Sequence, residues 1–244
     1  MNTFFGKVKV TSYNPNMQSQ PQMQFVYHFA AADLISKANQ SDEIAKSMSS
    51  GLVFADSKPL TILLKIKTKN FNGVRGIDFL RNCFSQKNII KSTYVLASSM
   101  KVIDNINNIE EFLQKKLCID GMGLPIITLE KKQIEKLAEI LKSKSPKHVW
   151  IGISSPKQNL LASKLFEIYP ANYYCVGAAL DFYASESKEA PIWIRKLTLE
   201  WLYRFCQEPK RLWKRYLFGN SLFIWQALKF IVLPTIFGKM FSKP

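Results

Sequence analysis

VWIGISSPKQNLLASKLFEIYPANYYCVGAALDF, residues 149–182, holds in one stretch the pattern that decides the fold. Val149–Ile153 is an uninterrupted apolar run, Ser154-Ser155-Pro156 is a turn, and a helical pattern over about 157–168 sets Leu160, Leu161 and Leu165 on one face. A second apolar run follows at 173–180. Continuous apolar runs, in place of alternation, suit strands of a parallel sheet covered on both faces. Serines followed by a proline just inside a helical segment form a helix start signal.

Working outward, GLVFA at 51–55 and TYVLA at 93–97 read as further buried strands. Between the runs lie helical patterns, clearest over 129–143, where Ile134, Leu137, Ala138 and Leu141 recur at i, i+3, i+4 and i+7. The alternation predicts an α/β fold: a Rossmann-like parallel sheet with flanking helices, binding ligands beyond the carboxyl ends of its strands. Residues 12–24, polar and Gln-rich with two prolines, read as a loop. The folded core is therefore expected to start near Phe25, within an α/β unit 1–190 whose first 24 residues are partly irregular.

The chain has 244 residues, 47% of them hydrophobic, and a formal charge of +16. That apolar content excludes a disordered polycation. The charge is uneven: residues 191–244 carry ten Lys or Arg against Glu200 and Glu208, and four of the five tryptophans. Basic and aromatic together point to a membrane interface or to nucleic acid. Cys83, Cys118, Cys175 and Cys206 are widely spaced, and only His28 and His148 are present, so a zinc site has no ligand pattern. The cysteines read as buried thiols of a reducing cytoplasm. The first 14 residues have no sustained apolar core and so no cleavable signal peptide pattern.

Three loops after the strands carry chemistry. Asp56 ends the run VFAD, where a carboxylate either closes a turn or acts as a general base on an acceptor hydroxyl. Ser155, Lys157 and Gln158 combine a hydroxyl, a cation and an amide at a helix start, which is either an ordinary cap or an anion site. Gly177 and Ala178 allow close backbone approach to a ligand, and Asp181 either binds a hydroxyl or caps the next helix. In the tail, Arg211, Lys214 and Arg215 share a helix face by i, i+3, i+4 spacing, either solvated or lipid-facing. Beyond them, Gly219-Asn220-Ser221 and Pro234 interrupt an apolar stretch too short to span a bilayer, which favours an amphipathic segment lying in the interface, with core packing as the alternative.

These pieces, in this order, resemble the WecG/TagA/CpsF glycosyltransferases (glycosyltransferase family 26) over roughly residues 25–230. The likeness is carried by GISSPKQN at 152–159, VGAALDF at 176–182 and APIWIRKLTLEWLYRFCQEPKRLWKRYLFGN at 190–220. FADSKPL at 54–60 and VRGIDFL at 74–80 are weaker landmarks.

The resemblance implies an inverting, metal-independent transfer of a sugar of N-acetylmannosamine type or a related hexose. The UDP-sugar donor is a co-substrate, no cofactor is required, and the acceptor is a polyprenyl-diphosphate-linked sugar of bacterial surface polysaccharide synthesis. It implies Asp56 as base, Ser155, Lys157, Gln158, Gly177 and Asp181 at the nucleotide-sugar pocket, and His28, Arg204, Arg211, Lys214 and Arg215 toward the acceptor and its diphosphate. The protein is then expected as a peripheral enzyme on the cytoplasmic face of the inner membrane, held by residues 191–244 on anionic lipid, with homo-oligomerisation left open. The rival readings are a catalytically impaired homologue docked on the membrane and, as the minor one, a nucleic-acid-binding protein.

The sequence departs from the family pattern at five places. His28-Phe29-Ala30 stands for Thr-x-Asn, Ser57-Lys58-Pro59 for glycines, Gly73 for an arginine, Ser98-Ser99 for Gly-Gly, and Asn159 for a glutamate.

Overall fold

The computed structural model describes residues 1–15, 24–112, 119–184, 190–197 and 199–234. Strands β1 (Asn2–Phe5) and β2 (Val8–Thr11) form an antiparallel hairpin. Six further strands form one parallel sheet: β3 (Val26–Ala30), β4 (Leu52–Ala55), β5 (Thr93–Ala97), β6 (Asp120–Gly123), β7 (His148–Gly152) and β8 (Asn172–Cys175). Their order across the sheet is β4-β3-β8-β7-β5-β6. The doubly wound α/β architecture expected from the apolar runs is therefore present.

Helices connect the strands. They are α1 (Ala32–Gln40), α2 (Asp42–Ser49), α3 (Lys58–Lys67), α4 (Gly76–Phe84), α5 (Lys87–Ile90), α6 (Met100–Phe112), α7 (Lys131–Lys144), α8 (Lys157–Ile168) and α9 (Ala179–Tyr183). Helix α8 packs with α2 and α7 on one side of the sheet, while α9 packs with α4 and α6 on the other. Covering both faces is what makes the central strands mostly apolar.

One face of the sheet carries a row of rings. Register sets Trp150 beside Tyr174 and Tyr174 beside Tyr27, and the rings stack at 4.1 and 4.8 Å between centroids. Phe79 of α4 closes on Tyr174 at 5.7 Å. On the other face Val149, Ile151 and Tyr173 bury against Leu137, Leu141, Leu161 and Leu165. The helical spacing read for 129–143 thus supplies the buried face of α7.

Three expectations are corrected. The core does not start at Phe25: the hairpin buries Phe5, Val8 and Val10 by the alternation of its short strands. The run 173–180 is strand only to Cys175, because the Val176 and Gly177 N–H groups both return to the Ile151 carbonyl and the chain turns into α9. Gly219-Asn220-Ser221 does not interrupt a helix. Among α10 (Ile192–Lys196), α11 (Glu200–Gln207) and α12 (Pro209–Ala227), the last runs through it unbroken and continues as a π-helical turn, Leu228–Val232. Packing on α1, with Gly219 against Asp33, overrides the local propensity.

The end of the chain thus contributes to the core. Phe223, Ala227 and Ile231 are buried with Leu34, Leu60 and Leu64, and Phe223 stacks on Phe5 at 5.5 Å. Buried Gln226 donates to the Ser36 carbonyl and accepts from Asn39. The outer face, with Ile224, Trp225 and Leu228, is exposed. Phe223→Ala should cost about 3–5 kcal/mol of unfolding free energy by leaving a cavity. Trp225→Ala should change it by under about 0.5 kcal/mol, since an exposed side chain leaves none; urea melts of the two variants check the contrast. Among the described residues no helix is long and apolar enough to cross a membrane.

Candidate active site

Successive strands send their following helices to opposite sides of the sheet: α8 after β7 to one, α9 after β8 and α6 after β5 to the other. Diverging connections open a crevice at the carboxyl ends, the place where such sheets bind ligands. A cleft of about 620 Å³ lies there. Loops following all six parallel strands reach it: Ala31 after β3, Asp56 after β4, Ser98 after β5, Leu124 after β6, Ser155 after β7 and Gly177 after β8.

Asp56 lies on the cleft wall and accepts the Gly76 N–H at 2.6 Å, the first amide of α4. The capping reading of this aspartate is thus met, and its place on the cleft wall leaves the base reading open to test. Arg75, next to that amide, also lines the cleft and bonds Asp78 and Glu200, each at 3.4 Å. Glu200 belongs to α11, so this ion pair ties the C-terminal helices to the cleft.

The turn after β7 divides its labour. Lys157 is exposed on the cleft and donates to the Ile127 carbonyl at 2.9 Å, across to the loop after β6. Gln158 is buried and works inward: its amide nitrogen donates to the Cys175 carbonyl at 3.2 Å, and its oxygen accepts the Gly177 N–H at 2.9 Å. It is a positioning residue for the β8 turn, where Gly177 takes φ +57°, a left-handed conformation suited to glycine. Gln158→Leu should remove the Cys175 carbonyl's side-chain donor and leave the Gly177 N–H with the longer Ile151 contact alone, cost about 1–3 kcal/mol and lower Tm by roughly 3–10 °C in a thermal scan.

Asp181 lines the cleft and accepts the Ser98 hydroxyl at 3.1 Å, linking the ends of β5 and β8. Ser155 also lines it, and its hydroxyl donates to Asn159 Oδ1 at 3.0 Å. The Asn159 amide nitrogen is then left to donate to His28 Nδ1, 2.9 Å away, which assigns the His28 proton to Nε2. His28 is wholly buried on β3 and is not part of the cleft wall, so it holds the turn from within and does not face a ligand. The expectation that it contacts the acceptor is corrected. Its Nε2 has no hydrogen-bond partner in the interior.

Burial pulls His28 down to about 3, against a smaller opposing influence from the Ser47 backbone. In the unfolded chain a histidine titrates near 6.5. Between these values the unfolded state binds the extra proton, so stability is full above about pH 6.5 and is lost as pH falls. By pH 5 the loss is about 2 kcal/mol from His28; His148, lowered by burial to about 4, acts in the same direction. Unfolding free energies at pH 7 and pH 5 measure the slope, which His28→Gln should flatten.

Arg204 lies in α11, and Arg211, Lys214 and Arg215 in α12, with side chains outside the described residues. Neighbours on those helices, Glu200, Gln207 and Leu212, and Glu208 between them do line the cleft. Of the four cysteines, Cys83 and Cys175 are buried, Cys206 is exposed, and Cys118 lies outside the described residues. Burial pushes the Cys83 thiol up to about 12 and the Cys175 thiol up as well, so neither is a nucleophile at neutral pH.

A parallel α/β sheet whose carboxyl edge, with the C-terminal helices, gathers among the described residues five carboxylates (Asp33, Asp56, Asp181, Glu200 and Glu208), a lysine, an arginine and a glycine turn round one open cleft belongs to the class that binds a polar ligand at the carboxyl edge. Residues 9–234 match the glycosyl transferase WecG/TagA/CpsF family, and the chain belongs to that family. It is a glycosyltransferase, an enzyme that transfers sugars.

Several departures from the family pattern have local partners. His28 and Asn159 are bonded to each other, and Ser98 is bonded to Asp181. At Gly73 a Cβ would stand 2.6 Å from the Ala55 carbonyl and 2.2 Å from Thr61 Oγ1, so this backbone course leaves no room for an arginine side chain.

Proposed function

We propose that the enzyme moves a hexose of N-acetylmannosamine type or a related sugar from a UDP-sugar to a polyprenyl-diphosphate-linked sugar. The transfer inverts the anomeric centre, uses no metal ion, and serves bacterial surface polysaccharide synthesis at the cytoplasmic face of the inner membrane. The observation that carries this reading is the placing of Asp56, Lys157, Arg75 and Asp181 around one cleft at the strand ends of a member of this family.

Asp56 takes the proton of the acceptor hydroxyl as that oxygen attacks the anomeric carbon. Its Gly76 contact fixes the carboxylate for this task. Charge then develops on the departing diphosphate, and among the described residues Lys157 and Arg75 are cations on the cleft wall able to meet it. Asp181, steadied by Ser98, is suited to a sugar hydroxyl. The Trp-rich, cationic C-terminal helices hold the enzyme on the bilayer that carries the acceptor.

The test is product analysis. Incubation with UDP-sugars and a polyprenyl-diphosphate-linked acceptor should give a lipid heavier by one hexose unit in mass spectrometry, equally with and without EDTA. Failure of every donor to give such a product would favour the impaired homologue.

A further inference from the structure

The tail is not the whole cationic surface. Residues 1–11, 57–72 and 209–234 together hold eleven of the 34 Lys and Arg and none of the 18 Asp and Glu. These three segments are distant in sequence but meet in one cluster, where Phe5, Leu60, Leu64, Phe223 and Ile231 are buried together. Helix α3 packs against both β1 and the π-helical turn, so their outward residues adjoin one another.

Helix α3 is amphipathic in an unusual sense. Leu60 and Leu64 face the core, yet the opposite face also carries large apolar groups, Ile62 at 53% exposure and Ile66 at 48%. Lys65 and, in the turn just after the helix, Lys69 flank them. Phe4, 53% exposed on β1, and Leu233 after the π-helical turn extend the apolar area, while Lys67 bridges α3 to the Phe4 carbonyl. A solvated surface helix places polar residues at such positions. Isoleucines ringed by lysines, on a surface drawn from acid-free segments, match an anionic bilayer, where apolar groups enter the headgroup boundary and lysines pair with lipid charge.

We infer that the outward face of α3, with Ile62, Ile66, Lys65 and Lys69, is a second bilayer-contact surface that docks on anionic lipid beside the end of α12. The inference extends the membrane reading given above. It adds that docking is made by two adjoining chain segments and not by the C-terminal tail alone. Two contacts fix the tilt of the enzyme on the bilayer, whereas one leaves it free to swivel.

Co-sedimentation of the full chain with vesicles of phosphatidylcholine containing phosphatidylglycerol, and with pure phosphatidylcholine vesicles, tests this. Wild type should bind the anionic vesicles only. Lys65→Gln/Lys69→Gln should weaken that binding about 30-fold, a fold-change equivalent to about 1 kcal/mol per lysine. Ile62→Ser/Ile66→Ser should weaken it about tenfold, with the thermal melting of both variants unchanged. Wild-type affinity in both variants, with Trp225→Ser impaired, would overturn the α3 surface and leave the tail as the sole contact. Failure of wild type to bind anionic vesicles would overturn the membrane reading itself. Tighter binding to duplex nucleic acid than to vesicles, or a wild-type dimer that Ile62→Ser/Ile66→Ser makes monomeric, would assign the face to another occupant.

Discussion

Asp56→Asn is expected to lower acceptor-dependent turnover by about 10²–10⁴, the span that a positioned general base contributes. The amide keeps an oxygen for the Gly76 N–H, so the start of α4 stays capped and the cleft wall keeps its shape. What it loses is the ability to take a proton. Donor binding measured by calorimetry should therefore remain near wild type while the rate collapses. Asp56→Ala adds a second effect, loss of the cap, worth about 1 kcal/mol of stability. Full turnover in Asp56→Asn would reduce Asp56 to its capping role and move the base elsewhere.

Lys157→Met is expected to lower kcat/KM for the UDP-sugar by about 10²–10³, by comparison with single donors that stabilise developing oxyanions. The side chain reaches from the first residue of α8 to the Ile127 carbonyl, and so spans the cleft mouth between two loops. A diphosphate is a stronger partner for an ammonium group than a carbonyl, so ligand binding should draw Lys157 off Ile127. Because the residue is exposed, the methionine should leave the melting temperature within a degree or two, in contrast to Gln158→Leu next to it. Lys157→Arg should restore part of the rate, since charge and not shape is the requirement. An unchanged kcat/KM in Lys157→Met would remove Lys157 from the diphosphate site.

What could be read from the sequence follows from where the physical signal is local. Strands β5 and β7 are legible because both faces are buried, and every residue of TYVLA and all but the first of HVWIG is buried. Strand β6, DGMG, sits at the sheet edge with no fully buried residue and leaves no apolar run to find. The end of β8 is misread because VGAAL stays apolar after the backbone has turned, in order to pack α9. Helix α12 defeats local reading for the opposite reason: glycine, asparagine and serine break isolated helices, yet contact with α1 sustains this one.

The site shows the same division. Asp56, Lys157 and Asp181 are visible as chemistry at strand ends, and all three line the cleft. Arg75 with Glu200, and Ser98 with Asp181, join residues 125 and 83 positions apart, which no spacing argument reaches. His28 carries the chemistry of a ligand-binding residue in sequence and is spent on the scaffold in the fold, while Gln158 lines the cleft and also holds the β8 turn. Both amide atoms of Gln158 and Nδ1 of His28 pair with neighbouring groups, as burial of polar atoms favours, and of these two side chains only His28 Nε2 goes without.

The central claim is that this cleft transfers a sugar from a nucleotide donor to a lipid-linked acceptor. Its most direct test is the steady-state rate of UDP release from a UDP-sugar by the wild-type enzyme, measured with and without the polyprenyl-diphosphate-linked acceptor in anionic vesicles and in the presence of EDTA. The account predicts release that requires the acceptor, persists in EDTA and is lost in Asp56→Asn. Release that is indifferent to the acceptor, or that Asp56→Asn leaves intact, would contradict it.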